Sequence, residues 1–252
     1  MTKQIDLNCD MGEGMDNDAL LMPLISSANI ACGYHAGSDS IMRATVALAK
    51  QSGVSIGAHP GFSDRENFGR TEMQLNENEL YQLLWDQLTL MQSITQEASV
   101  HMQHVKSHGA LYNMAARDVF MARVIAQAVK DFDANLIFYG LSGSYLISEA
   151  QAIGLRTASE VFADRTYQDN GSLTPRSQAN ALIQDHETSL AQVLQMIQEQ
   201  TVESVTGKTI SLSAETICIH GDGPHALSFA QQINTALHTA SIKIQSPQLL
   251  SQ

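Results

Sequence analysis

Short apolar runs alternate with longer amphipathic stretches along most of the chain. The runs cover residues 5–10, 28–33, 54–59, 104–109, 136–141, 155–164 and 216–222, and most of them end at or beside Gly, His or Asp. The intervening stretches carry helical periodicity. In "NENELYQLLWDQLTLMQSI" (76–94), Leu80, Leu83, Leu84, Leu88 and Met91 recur at helical spacing, and Asn76 with Glu79 forms a capping-box signature. "SDSIMRATVALAKQSG" starts polar and predicts a helix stopped at Gly53. The stretches 119–132 and 224–240 behave similarly. Strand, helix, strand at this spacing predicts parallel strands joined by crossover helices. Seven strands suit a (β/α) barrel or an open doubly wound sheet, and pattern alone does not separate them. In either fold, ligands bind at the carboxyl edge of the strands. No Pro/Gly/Ser linker divides the chain, so residues 1–252 are expected to form a single domain.

Parity within the runs shows where polar side chains go. Asp6, Asn8 and Asp10 share one face of the first run, opposite Ile5, Leu7 and Cys9. A helix-covered sheet needs apolar outer faces, so the polar face is expected to point inward. His104, Lys106 and His108 repeat the arrangement, as do Cys218, His220 and Asp222. "SANIACGYHAG" (27–37) turns from an apolar strand into His35 between glycines, and "GVSIGAH" ends its strand at His59. A lone histidine at a strand end is more often a packed core residue than a catalyst. Five strands that each deliver Asp, His or Lys to one edge are harder to explain that way, and they predict a shared polar pocket. Asp6, deepest in its strand, reads instead as a structural hydrogen-bonding group.

Further candidates flank that edge. Glu13 stands between two glycines just after Asp10. Arg70 closes the loop "DRENFGR", and Glu160, Asp164, Arg165 and Arg176 lie in "EVFADRTYQDNGSLTPR". An arginine there suits a substrate carboxylate, although a loop salt bridge is the commoner use. Asp and His together allow a divalent metal, but no tight ligand motif such as H-E-x-x-H is present, so metal binding is not favoured. Nucleophilic catalysis is disfavoured too, because no G-x-S-x-G elbow occurs and Cys9, Cys32 and Cys218 read as packing residues. "VTGKTI" ends like a phosphate-binding loop, but Val202 stands where the motif needs glycine. With no G-x-G-x-x-G either, no standard nucleotide site is expected.

Composition narrows the classes. A net charge of −12 makes the chain a poor general binder of nucleic acid. No signal peptide and no apolar run of membrane-spanning length is visible. Three widely spaced cysteines read as free thiols of a cytoplasmic protein.

"DLNCDMGEG", "SANIACGYHAG", "GVSIGAHPGFSDRENFGR", "HVKSHGALYN", "EVFADRTYQDNGSLTPRSQ" and "TICIHGDGPHAL", in this order and nearly end to end, resemble the LamB/YcsF family. Departures are Cys9 for alanine, Tyr34 for phenylalanine, and Ser107 for proline, the last expected to loosen the approach to His108. The resemblance implies an irregular seven-stranded (β/α) barrel of the glycoside hydrolase/deacetylase type. It also implies ATP-dependent opening of 5-oxo-L-proline to L-glutamate together with 5-oxoprolinase subunits B and C. ATP would enter as co-substrate through those partners, with no tightly bound cofactor in this chain; a homo-oligomer is compatible with the reading. On it, Asp10, His35, His59, Lys106, His108 and His220 are the candidate catalytic residues. Asn8, Glu13, Arg70, Glu160, Asp164, Arg176 and Asp222 are the candidate substrate-binding residues. The rival is a metal-dependent carbohydrate deacetylase with Asp10, His35 and His59 as ligands. A third reading makes the chain a binding component whose partners do the chemistry.

Overall fold

The computed structural model describes residues 3–219 and 226–248. Seven parallel strands close into a barrel: β1 (Gln4–Met11), β2 (Ser27–Ala31), β3 (Ser55–His59), β4 (Met102–Lys106), β5 (Ile137–Leu141), β6 (Arg156–Phe162) and β7 (Thr216–Ile219). They neighbour one another in sequence order, and β1 pairs with both β2 and β7 to complete the ring. The choice that pattern left open is thereby decided for the barrel. It is irregular, since the β3–β4 register shifts between Ile56 and Gly57. A short strand, β8 (Lys243–Ile244), adds to β1 at Gln4 and Ile5.

The helices follow from their caps. Ser38 accepts a hydrogen bond from the Ile41 N–H to start α1 (Asp39–Ser52), and Gly53 ends it with φ 68°. The Asn76–Glu79 capping box opens α2 (Glu77–Glu97), as its sequence predicts. Three helices that periodicity did not single out complete the wall with α4 (Val119–Phe132) and α7 (Ala226–Thr239). They are α3 (Gly109–Arg117), α5 (Tyr145–Ala152) and α6 (His186–Glu199). Two are short, and a short helix shows few turns of periodicity.

Outward-facing Leu7, Cys9, Met11, Ala28 and Ile30 are fully buried against the helices. At roughly 1.5–3 kcal/mol for a large apolar side chain, this shell holds the barrel closed. The run 155–164 leaves the sheet at Phe162. The long β6–β7 connection that follows is fastened from within: buried Arg165 donates to the carbonyls of Thr174 (2.6 Å) and Ala181 (3.3 Å). "VTGKTI" supplies the turn of a small hairpin, Thr201–Glu203 with Thr209–Ser211, which accounts for its glycine (φ 84°) without a phosphate.

Inside, the barrel is polar. At its amino-terminal end Asp6 accepts from Ser26 Oγ (2.6 Å), Ser27 Oγ (2.7 Å) and Thr216 Oγ1 (2.6 Å). Burial raises the Asp6 carboxyl above its ordinary pKa, and these hydroxyls oppose the rise. The structural role expected of Asp6 fits this placement. Replacing one acceptor oxygen by an amide NH₂ in Asp6→Asn disrupts the three-hydroxyl set and should cost about 1–3 kcal/mol. Thermal denaturation checks this, and an unchanged midpoint would refute the role.

Candidate active site

Alternation along β1 carries Asn8 and Asp10 up the lumen above Asp6, and β4 brings His104 and Lys106 to meet them. Lys106 Nζ lies 2.9 Å from Asp10 Oδ1 and 2.8 Å from Glu160 Oε1, and it also donates to Asn8 Oδ1 (3.2 Å). Tyr112 donates to the other Glu160 oxygen at 2.7 Å. Burial works against the ammonium, but the Asp10 and Glu160 charges outweigh it and hold Lys106 well above the usual lysine range. Asn29 on β2 donates to both Asn8 Oδ1 (2.7 Å) and Asp10 Oδ1 (2.8 Å). His104 Nε2 closes this layer on Asn29 Oδ1 at 2.8 Å. Its ring fits only because β3 has Gly57 opposite, where a Cβ would overlap the imidazole.

Above this layer stand three histidines and Glu13. His35 and His108 stack flat, with centroids 3.8 Å apart and planes 4° apart, while His59 meets His108 edge-on at 88°. His59 Nδ1 donates to the Lys106 carbonyl (2.7 Å), and His108 Nε2 donates to the Phe68 carbonyl (2.9 Å). Gly69, at φ 65°, makes room for the stack; a Cβ there would lie 2.7 Å from His35 Cβ. Glu13 Oε1 sits 3.3 Å from His108 Nδ1, 3.5 Å from His35 Nε2 and 3.9 Å from His59 Nε2. Burial is the main force lowering His35, His104 and His108, with like-charged neighbours adding to it. His35 and His104 are pushed down to about 3, and His108 falls well below its usual value.

A cleft of about 850 Å³ opens over this floor. Asp10, Glu13, His59, Lys106 and His108 line its base, and Arg70 and Arg176 line its sides. Asn8 and Glu160 lie one layer beneath, and His35 stands behind His108 in the histidine layer; all three are fully buried and none lines the cleft. Asp164 falls in the loop after β6, outside the cleft lining. His220 and Asp222 lie outside the described residues. Ser107 does not leave His108 loose, because the His108 N–H is held by the Pro60 carbonyl at 2.8 Å. Sequence reasoning missed Asn29 and Tyr112. Ser27 and Asn29 show the same polar parity as Asp6 and Asn8, so that signal was available; Tyr112 follows His108 by one helical turn.

A closed parallel barrel with paired charges and clustered histidines at the carboxyl ends of its strands defines a hydrolase-type (β/α) barrel. The sequence profile of the LamB/YcsF family matches residues 5–252, and the chain belongs to that family. A protein of Tolumonas auensis named as a 5-oxoprolinase subunit is 54% identical over 248 residues, covering 96% of this chain and 99% of the relative. The crystal structure of a lactam utilization protein from Thermus thermophilus superposes with TM-score 0.91 at 39% identity, covering 97% of this chain and all of that one. A family 4 carbohydrate esterase from Streptomyces lividans, solved with acetate, shares the fold at TM-score 0.50 and 12% identity, over 96% of this chain and 91% of that one. The deacetylase-type barrel expected from the sequence is therefore the fold observed.

Two predictions concern this charge layer. Lys106→Met leaves Asp10 and Glu160 without their cation and should destabilise the fold by about 3–5 kcal/mol, measured by chemical denaturation. His104, at about 3 in the folded chain against 6.5 when free, is protonated first in the unfolded chain. Its stabilising contribution is complete above pH 6.5 and falls by about 1.4 kcal/mol per pH unit below that, down to pH 3. His104→Gln should flatten the acid limb of a stability–pH profile; an unaltered slope would assign that limb to other groups.

Proposed function

We propose that this chain is the lactam-opening component of an ATP-dependent 5-oxoprolinase, acting on 5-oxo-L-proline with partner subunits B and C in the cytoplasm. The observation that carries the reading is Asp10: its Oδ1 meets Lys106 at 2.9 Å and its Oδ2 meets His59 Nε2 at 3.3 Å at the base of a cleft flanked by arginines. The names of the Tolumonas and Thermus relatives support the same substrate class.

In this reading the lactam carbonyl lies over the floor of the cleft and its carboxylate is held by Arg70 or Arg176. Asp10 takes a proton from a water as the water oxygen bonds to the carbonyl carbon. Lys106, kept charged by its two carboxylates, stabilises the developing oxyanion. The ring C–N bond then breaks as the proton held by Asp10 passes to the nitrogen, which leaves as the amine, and the carbonyl carbon becomes the side-chain carboxylate of L-glutamate. Tyr112, Glu160, Asn8 and Asn29 are positioning residues, acting through Lys106 and Asp10. Opening an unstrained five-membered lactam is unfavourable, so ATP hydrolysis must be coupled to it. The chain carries no standard nucleotide motif, and the partners are assigned the nucleotide. The likeness to the carbohydrate esterase is one of fold alone, so deacetylation is the comparison arm of the test.

Reconstitution with subunits B and C, oxoproline and ATP should yield glutamate and phosphate only when this chain is present. Asp10→Asn should lower kcat by about 10²–10⁴-fold, the range expected for loss of a general base. Arg70→Ala and Arg176→Ala, tested separately, should show which arginine raises KM. Undiminished turnover by Asp10→Asn would overturn the mechanism, and acetate release from an acetylated sugar without oxoproline opening would favour the deacetylase.

A further inference from the structure

The histidine layer raises a problem of hydrogens. A backbone carbonyl only accepts, so the proton on His59 is at Nδ1, facing Lys106 O, and that on His108 is at Nε2, facing Phe68 O. The remaining ring nitrogens, His59 Nε2 and His108 Nδ1, then carry lone pairs, yet they lie 2.9 Å apart. Two carboxylate oxygens join them. Glu13 Oε1 is 3.3 Å from His108 Nδ1, and Asp10 Oδ2 is 3.3 Å from His59 Nε2. Among the described residues none of these contacts supplies a hydrogen, and the convergence of four electron-rich atoms favours a positive centre between them.

His35 supplies a second observation. It is fully buried, and neither of its ring nitrogens has a hydrogen-bond partner among the described residues, although Nε2 faces Glu13 Oε1 at 3.5 Å. The ligand atoms of Glu13, His35, His59 and His108 all lie within 4.8 Å of one another.

We propose that Glu13, His59 and His108 bind one divalent transition-metal cation at the base of the cleft. The two histidine N–H groups already bound to carbonyls are the outer contacts that orient metal-ligating imidazoles. The edge-on setting of His59 and His108 lets one ion lie in the plane of both rings. At a metal–nitrogen distance of about 2.1 Å, nitrogens 2.9 Å apart subtend an angle of about 90°. His35 lies flat on His108, so an ion in the plane of His108 is out of plane for His35. His35 is assigned to hydrogen-bond a water on the ion. This set differs from the Asp10, His35 and His59 set of the deacetylase reading: Glu13 Oε1 faces all three histidines, whereas Asp10 Oδ2 meets His59, and the stack turns His35 out of plane. The chemistry such an ion supplies is acidification of a bound water.

The test uses the full chain, stripped with a chelator, then titrated with Zn²⁺, Mn²⁺ or Co²⁺ alone. Calorimetry and elemental analysis should show one equivalent per chain. His59→Gln and His108→Gln should each weaken binding at least 10-fold, with folding checked by circular dichroism, while His186→Gln on α6 leaves it unchanged. In the wild-type chain, ¹⁵N signals of the His59 and His108 side chains should shift on adding Zn²⁺. Absence of stoichiometric binding would overturn the proposal, as would ¹⁵N spectra showing a proton shared between His59 and His108 and indifferent to metal. Neither result decides the lactam reading, which stands or falls on glutamate formation by the reconstituted complex.

Discussion

The interior of this barrel depends on one charge, the ammonium of Lys106. A (β/α) barrel usually fills its lumen with branched apolar side chains. Here the middle of the lumen holds a lysine between Asp10 and Glu160. Isolated ions in such a place cost several kcal/mol each, so every remaining lone pair and proton needs a partner. Much of the other polar chemistry of the interior follows. Tyr112 takes the second Glu160 oxygen, Asn8 donates to the first at 3.0 Å, and Asn29 bridges Asn8 and Asp10. Thr216 links Asn8 to Asp6, so the network runs from the amino-terminal end of the barrel to the cleft.

That dependence explains why strand parity was so informative. In a barrel covered by helices the outward face must be apolar, so alternating polar residues can only point inward, and the interior of a closed barrel converges by geometry. Asp6, Asn8, Asp10, Lys106 and His59 were legible for this reason. What parity does not encode is depth. Glu160 and Asn8 share the inward face with Asp10 but end one layer lower, where a ligand does not reach them. Nor does it foresee partners from other elements. Tyr112 comes from a helix, and the room for His104 is made by a glycine on the neighbouring strand. Asp164 falls outside the cleft lining because its strand ends at Phe162; beyond that point alternation no longer assigns a face.

The same lesson separates the histidines. In sequence, His35, His59, His104 and His108 look alike, each at or near a strand end. Their roles diverge through the acceptors around them. A carbonyl beside one ring nitrogen fixes the tautomer and so decides what the other nitrogen offers to the site. His59 and His108 are both fixed to present a lone pair, whereas His104 donates to Asn29 and serves the hydrogen-bonded layer beneath. These carbonyls belong to Lys106 and Phe68, so the backbone of the β4 end and of the loop before Arg70 sets the chemistry of the cleft floor. Local sequence says nothing about which carbonyl will stand beside which ring.

The charge of the whole chain and that of the cleft point in opposite directions, and the local arrangement governs. A net −12 would repel a small carboxylate at long range, but such repulsion is screened beyond about 8–10 Å in physiological salt. Within that distance the arginines that line the cleft supply local positive charge. Their environments differ: Arg165 is buried and committed to loop carbonyls, and Arg117 pairs with Glu72. Arg70 lies 5.0 Å over the ring of Phe68, whose carbonyl also fixes His108. A single loop thus places a candidate carboxylate handle and sets the tautomer of a histidine on the cleft floor. A change in that loop that shifted Arg70 would also disturb the acceptor that fixes His108. If Arg70 is the carboxylate handle of the proposed reaction, anion binding and the hydrogen-bonding state of the cleft floor are coupled through a few residues of backbone.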